Sequence, residues 1–345
     1  MQAAVFRGPG KITVEETPPP SLEPDGLILR VEACGICGSD LRTLQHGMRF
    51  DREWQILGHE IAGVVAEVGS RIEGYRVGDR LAVAADIHCG HCYYCRRALY
   101  NLCEAWRLIG AHYPGGMAEY MALPADILQR GIVHRTPDGL SSVHATLAEP
   151  AASVLASQHE AGVEPGDVVA VIGSGPMGCL HVQVARARGA RPLLIGRRAE
   201  RLQVAEGLGA WQLLDSSQVD PVATVRAMTD GRGADVAIVA CSSRQAQAQA
   251  VDMVRKRGRV LVFGGLPRED PITHLDSNRI HYHELRIYGT FSYHPSYHQV
   301  ALDMLAHGQI EAGKIVTATY PLERVKEAFE AAHSASQLKV VITAS

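Results

Sequence analysis

The side chains best equipped for chemistry are thiols, imidazoles and acids, and their spacing sorts them into two sets. Cys89, Cys92, Cys95 and Cys103 follow the pattern C-x2-C-x2-C-x7-C, placing four of the eight cysteines on one short loop. Four thiolates close a tetrahedral zinc site and leave no position for water or substrate. Such an ion does no chemistry; it holds a loop in shape. His88 and His91 are interleaved, and with four sulfurs present they are surplus to coordination. The second set is dispersed: Cys34-Gly-Ile-Cys37-Gly-Ser39-Asp40, then Gly58-His59-Glu60, then Leu147-Ala-Glu149-Pro150. Cysteine, histidine and a carboxylate are the ligands of an open zinc site, whose remaining position takes water or substrate.

A third pattern concerns phosphate. Val168-Val-Ala-Val-Ile172 runs into Gly173-Ser-Gly175-Pro176-Met177-Gly178 and then into a helical stretch. A bare G-x-G-x-x-G says little, but between a strand and a helix it is a dinucleotide fingerprint. Gly173 permits the tight turn, Gly175 lets the backbone approach the pyrophosphate, and Gly178 lets helix and strand pack closely. The helix N-terminus favours the phosphate charge. NAD sites usually place an acid about 20 residues on, for the ribose 2′-hydroxyl. This chain has Gly196-Arg197-Arg198 there. A glycine leaves room and two arginines supply charge for a 2′-phosphate, so NADP is expected over NAD.

These groups need two kinds of scaffold. The first part of the chain predicts a β-rich domain, with strands such as Leu27 to Ala33 and Ile61 to Val68 between glycine turns. From about residue 165 strands and helices alternate: strands at Val168–Ile172, Leu193–Ile195, Asp235–Ala240 and Arg259–Phe263, helices at Pro176–Arg188, Ala199–Leu208 and Gln245–Val254. That alternation predicts a doubly wound parallel sheet. Helices are expected at Tyr297–Ala306 and Leu322–Ala331, and a last strand at Leu338–Thr343. The expected domains are residues 1–150 with 290–345 returning to them, and 151–289 as the dinucleotide-binding insert.

With these residues in place, the chain resembles the zinc-containing medium-chain alcohol dehydrogenases over its whole length. Gly58-His59-Glu60-x2-Gly63-x5-Gly69 matches that family's zinc signature. The polyol (sorbitol-type) and threonine dehydrogenase branch is most similar. The resemblance implies a GroES-like catalytic domain joined to a Rossmann domain, and two zinc ions per chain, one catalytic and one structural. It implies Cys37, His59 and Glu60 as catalytic zinc ligands, with Glu149 ligating the ion or holding its water. It puts Cys89, Cys92, Cys95 and Cys103 on the structural ion, and Ser39 at the start of a proton relay. The implied reaction interconverts a secondary alcohol, polyol or sugar-like, and its ketone. Two features depart from the branch. Arg42 stands where a relay histidine is usual, and arginine does not give up its proton. Phe291-Ser292-Tyr293 replaces Phe-Arg-Tyr.

Two alternatives remain open at this point. One is a threonine-type amino-alcohol or polyol-phosphate dehydrogenase, since Arg42, His46, Arg49 and Arg52 could hold a phosphate or carboxylate. The other is a non-catalytic zinc- and nucleotide-binding sensor. His281, His283, His294 and His298 are expected mostly at the surface or an interface. A net charge of −3 argues against nucleic acid as partner, and no apolar run predicts a membrane span. Without a charged-then-apolar leader a cytoplasmic location is expected, as a homodimer or homotetramer.

Overall fold

The computed structural model describes residues 1–48, 53–334 and 336–344. The chain divides into two compact units. One comprises Met1–Ala152, Tyr293–Gly308 and Ala312–Ser345; the other comprises Ser153–Ser292 and Gln309–Glu311.

The first unit is built on a mostly antiparallel sheet. Strand Leu27–Gly35 is its organiser, pairing with Glu60–Val68, with Tyr120–Leu123 and with Lys339–Thr343. Its apolar face, including Leu27, Leu29 and Val31, joins Ile61, Leu81, Met117 and Leu123 in one buried cluster. The pairing sets Gly35 opposite Glu60 and Cys34 opposite Ile61, so residues far apart in sequence meet at one strand end. The helix Gly38–His46 starts directly after this strand, with Cys37 as its N-cap.

The second unit is a six-stranded parallel sheet. Its spatial order is Gln212–Asp215, Arg191–Gly196, Val168–Ile172, Ala234–Val239, Val254–Val262, Arg286–Gly289. The order reverses beside Val168–Ile172, and open sheets of this kind bind ligands at such a switch point. Strand Val168–Ile172 is buried throughout, as a central parallel strand requires.

Several elements escaped the sequence pattern, four of them instructive. Gln212–Asp215 and Arg286–Gly289 are short, partly exposed edge strands with no continuous apolar run. Val316–Pro321 alternates half-buried and exposed residues, and Pro221–Ala227 is a short helix capped by Asp220. The expected helix over Leu322–Ala331 is a 3-10 turn at Leu322–Arg324 followed by the helix Val325–His333.

Candidate active site

Gly58 sets up the site. It adopts φ +93°, and a side chain there would strike the Cys34 sulfur and Met117. Only glycine turns the chain into strand Glu60–Val68 at that point. Behind the turn, His59 and Glu60 are buried. Across from them Cys37 faces the same space, and ligand atoms of Cys37, His59 and Glu60 lie within 4.8 Å of one another. Glu149, in the first turn of helix Ala148–Glu160, acts on His59 electrostatically but lies outside that three-residue group.

The surroundings fix these groups. Asp40 accepts the Cys37 backbone N–H through Oδ2 at 2.9 Å, and its Oδ1 is 3.7 Å from His59 Nδ1. One buried carboxylate thereby orients two candidate ligands. The Ser39 hydroxyl lies 3.5 Å from His59 Nε2. Glu60 is tied through Oε1 to Lys339, which comes from the strand Lys339–Thr343; both side chains are buried. The second oxygen, Oε2, is buried without a hydrogen-bond partner.

Burial and the acids of the site set its electrostatics. Burial favours a neutral His59, yet Asp40, Cys37 and Glu149 outweigh it and hold its pKa well above the usual histidine range. Burial also opposes charge on Lys339, but Glu60, Cys37 and Glu149 raise its pKa. Glu149 is lifted to about 7, first by burial and then by Glu60 and Asp86, against the pull of His59 and Lys339. Tyr293 is buried beside Glu149, and burial with the charges of Glu149 and Asp86 pushes its phenol well up. A thiolate, an imidazole and an unsatisfied carboxylate oxygen suit a zinc ion there.

The four clustered cysteines converge as well. All are free thiols, and their sulfurs lie within 4.8 Å of one another. The Cys89 N–H points at Cys103 Sγ at 3.2 Å. Backbone N–H groups of Cys95 and Glu104 aim at Cys92 and lower its pKa to about 6. Amides converging on sulfur stabilise thiolates, as a structural metal needs. His91 bonds the Cys89 carbonyl and His88 stacks on Tyr100, so both have other occupations.

In the other unit Gly175 is the N-cap and Pro176 the first residue of helix Pro176–Ala187. A Cβ on Gly178 would collide with the Gly173 carbonyl, so helix and loop touch at that glycine. Gly196 ends the second strand in sheet order and is buried, while Arg197 and Arg198 are exposed. Arg201 lies one turn along, with Nη1 3.5 Å from where a Gly175 side chain would be.

The comparisons bear on both units. The family profile described as alcohol dehydrogenase GroES-like domain matches residues 23–133, and that described as zinc-binding dehydrogenase matches 176–307. A sorbitol dehydrogenase of Bacillus subtilis is 32% identical over 96% of this chain and 93% of its own. The chain belongs to the zinc-dependent alcohol dehydrogenase family. A D-arabitol-phosphate dehydrogenase of Enterococcus avium is 32% identical, covering 94% of this dehydrogenase and 91% of that protein. A zinc-binding dehydrogenase of Sinorhizobium meliloti, solved with NADP bound, superposes with a TM-score of 0.91 at 32% identity, covering 99% of each chain. Membership makes this dehydrogenase an oxidoreductase of small alcohols and their ketones.

Against that background the expected residues can be placed. Cys37, His59, Glu60 and Ser39 come together, as do the four loop cysteines. Arg42 and His46 are exposed on their helix, and Arg49 and Arg52 lie outside the described residues. Of the four later histidines His281 is exposed and His283 and His294 are half-buried, while His298 is the exception: it is buried, with Nδ1 3.0 Å from His134 Nδ1. Asp86, Arg201 and Lys339 were not singled out by pattern, and Asp40 and Tyr293 were named only within motifs, without a role. Asp40 sits three residues after a ligand and carried the strongest signal. Lys339 had none, because a lysine in a terminal strand resembles an exposed edge charge. No helix among the described residues is long and apolar enough to cross a membrane.

Proposed function

We propose that the dehydrogenase binds two zinc ions, a catalytic one at Cys37, His59 and Glu60 with Glu149 beside it, and a structural one at Cys89, Cys92, Cys95 and Cys103. It interconverts a secondary alcohol, of polyol or sugar-like type, and its ketone. The carrying observation is the convergence of half-buried Cys37 with buried His59 and Glu60, with one Glu60 oxygen left unsatisfied.

Zinc at this position supplies Lewis-acid stabilisation of negative charge on the substrate oxygen. A dinucleotide held at the glycine turn would supply the hydride-transfer chemistry. The protein does the rest. Asp40 holds Cys37 and His59 in register for the ion, and the buried Lys339 holds Glu60 in place through Oε1. Ser39 takes the proton from the substrate hydroxyl. Arg42 is permanently charged, so the proton leaves Ser39 by another path. Glu149, with its pKa near 7, is poised to donate or accept a hydrogen bond to a substrate hydroxyl.

Gly173, Gly175, Pro176, Met177 and Gly178 form the pyrophosphate turn. Gly196 leaves room at the ribose, and Arg197 and Arg198 favour NADP over NAD, with Arg201 adding a third cation near the loop. The NADP-bound Sinorhizobium relative supports this preference. The exposed edge strand Arg286–Gly289, with Ile287 at 39% accessibility and Phe291 at 57% beyond it, supports a homodimer or homotetramer.

The test is zinc-loaded protein with a panel of polyols, polyol phosphates and threonine, each with NAD and NADP, read by nicotinamide absorbance. Turnover is expected, with NADP binding more tightly, and it should vanish in a folded Cys37→Ser variant. Full activity in that variant would remove Cys37 from the site.

A further inference from the structure

The glycine that ends strand Arg191–Gly196 is there for space. Its φ lies outside the left-handed region, so no turn demands a glycine. A Cβ on Gly196 would meet Ser174 Oγ at 2.5 Å, Ser174 Cβ at 2.9 Å and Leu202 Cδ2 at 3.0 Å. A hydroxyl can rotate aside, but Ser174 Cβ is fixed to the turn between Gly173 and Gly175. Leu202 is buried on the helix Ala199–Val204. The room that Gly196 leaves is therefore taken by Ser174. An acid at that position, of the kind that holds a ribose 2′-hydroxyl, would have to displace it.

The polar groups around this niche differ in how they are engaged. The Gly196 carbonyl accepts both the backbone N–H and the hydroxyl of Ser216, at 2.8 and 3.0 Å. Asp215, level with Gly196 on the neighbouring strand, accepts the backbone N–H and the hydroxyl of Ser217 through Oδ1. Both of those hydroxyls have partners. Ser174 is 7% exposed, and among the described residues no hydrogen bond engages its hydroxyl. A buried hydroxyl inside the dinucleotide turn is a donor waiting for an acceptor. A hydrogen bond to an ionised phosphate oxygen is roughly twice as strong as one to a neutral hydroxyl. The exposed Arg197 and Arg198 add attraction, but on the solvent side, where salt screens it.

We propose that Ser174 is the specificity-determining residue that commits the site to a 2′-phosphate. It blocks the acid that an NAD site places at position 196, and it donates its own hydroxyl to the phosphate instead. The inference rests on the dinucleotide reading above and deepens it, moving the discrimination from two exposed arginines to one buried hydroxyl.

The experiment is calorimetric titration of zinc-loaded protein with NADP and with NAD, with no alcohol present. Ser174→Ala removes one oxygen. It should weaken NADP binding by about tenfold or more and NAD binding far less, so the preference for NADP shrinks. A purely structural role would weaken both dinucleotides alike and leave the preference unmoved. Gly196→Asp alone should weaken both by about tenfold or more, because Ser174 holds the space. Combined with Ser174→Gly, it should recover NAD binding and reverse the preference. An unchanged preference in Ser174→Ala overturns the proposal, as does Gly196→Asp alone binding NAD as tightly as the double variant. If Gly196→Asp alone does not fold, Ser174→Ala and the double variant still decide. Wild-type protein that binds NAD more tightly than NADP overturns the proposal and the NADP preference with it, and leaves the dehydrogenase reading in place. Binding of neither dinucleotide removes that reading as well.

Discussion

Lys339→Met is the most informative perturbation of the site. It removes the cation that answers Glu60, whose side chain is 1% exposed and whose other oxygen already lacks a partner. Breaking one side of a buried ion pair costs about 3–5 kcal/mol, because the surviving charge is stranded away from water. For a unit of about 200 residues that corresponds to a melting temperature lower by roughly 6–20 °C. The loss should be largest in chelated protein. Zinc beside Glu60 would offer the stranded carboxylate a second positive neighbour, so the zinc-loaded variant should recover part of the deficit. By linkage, zinc must then bind the variant more tightly, by about tenfold for every 1.4 kcal/mol recovered. The assay is urea or thermal unfolding of both proteins with and without zinc. The ion in the cysteine cluster is common to both and cancels in the double difference. Lys339→Arg, which keeps the charge, should restore most of the stability. Equal losses with and without zinc, or a loss below about 1 kcal/mol, would refute the claim that Lys339 stands in for positive charge at this site.

Three further outcomes follow from the geometry. Burial lowers the pKa of His181 and of His298 to about 3, so each is neutral when folded while the unfolded chain takes up a proton below pH 6.5. Their contribution is intact above pH 6.5 and drains away as the pH falls toward 3, by about 1.4 kcal/mol per pH unit for each histidine. Unfolding free energies of His298→Gln should show a correspondingly shallower acid slope, and parallel slopes would contradict the assignment. Gly178→Ala should weaken dinucleotide binding by about tenfold or more, since the new methyl meets the Gly173 carbonyl; calorimetry showing wild-type affinity would count against that contact. Ser39→Ala should lower kcat by about 100-fold or more while zinc content stays at the wild-type level; loss of zinc instead would make Ser39 a support for the ion.

Much of this was legible in the sequence because its signals are local. The cysteine spacing, the glycine turn after Val168–Ile172 and the Gly58-His59-Glu60 triplet each specify a short geometry that no other part of the chain need complete. What stayed hidden depends on register. Lys339 reaches Glu60 only because strand Lys339–Thr343 pairs with Leu27–Gly35, which pairs in turn with Glu60–Val68. Asp86 meets Trp106 only because its strand pairs with Arg107–Leu108, which Trp106 precedes, and Tyr293 gains meaning from returning beside Glu149. The edge strands Gln212–Asp215 and Arg286–Gly289 were missed because exposed edges carry weak hydrophobic patterning. His298 looked like a surface histidine because a single residue on a helix gives no sign that His134 lies opposite.

The pairing of Glu60 with Lys339 spans 279 residues of chain, with the entire nucleotide-binding unit in between. During synthesis the acid emerges early and its counter-charge last. Until the final strand slots in beside Leu27–Gly35, the first unit must carry an unanswered carboxylate at its centre. The pocket around Glu60 in this way waits on a residue 279 positions further along the chain.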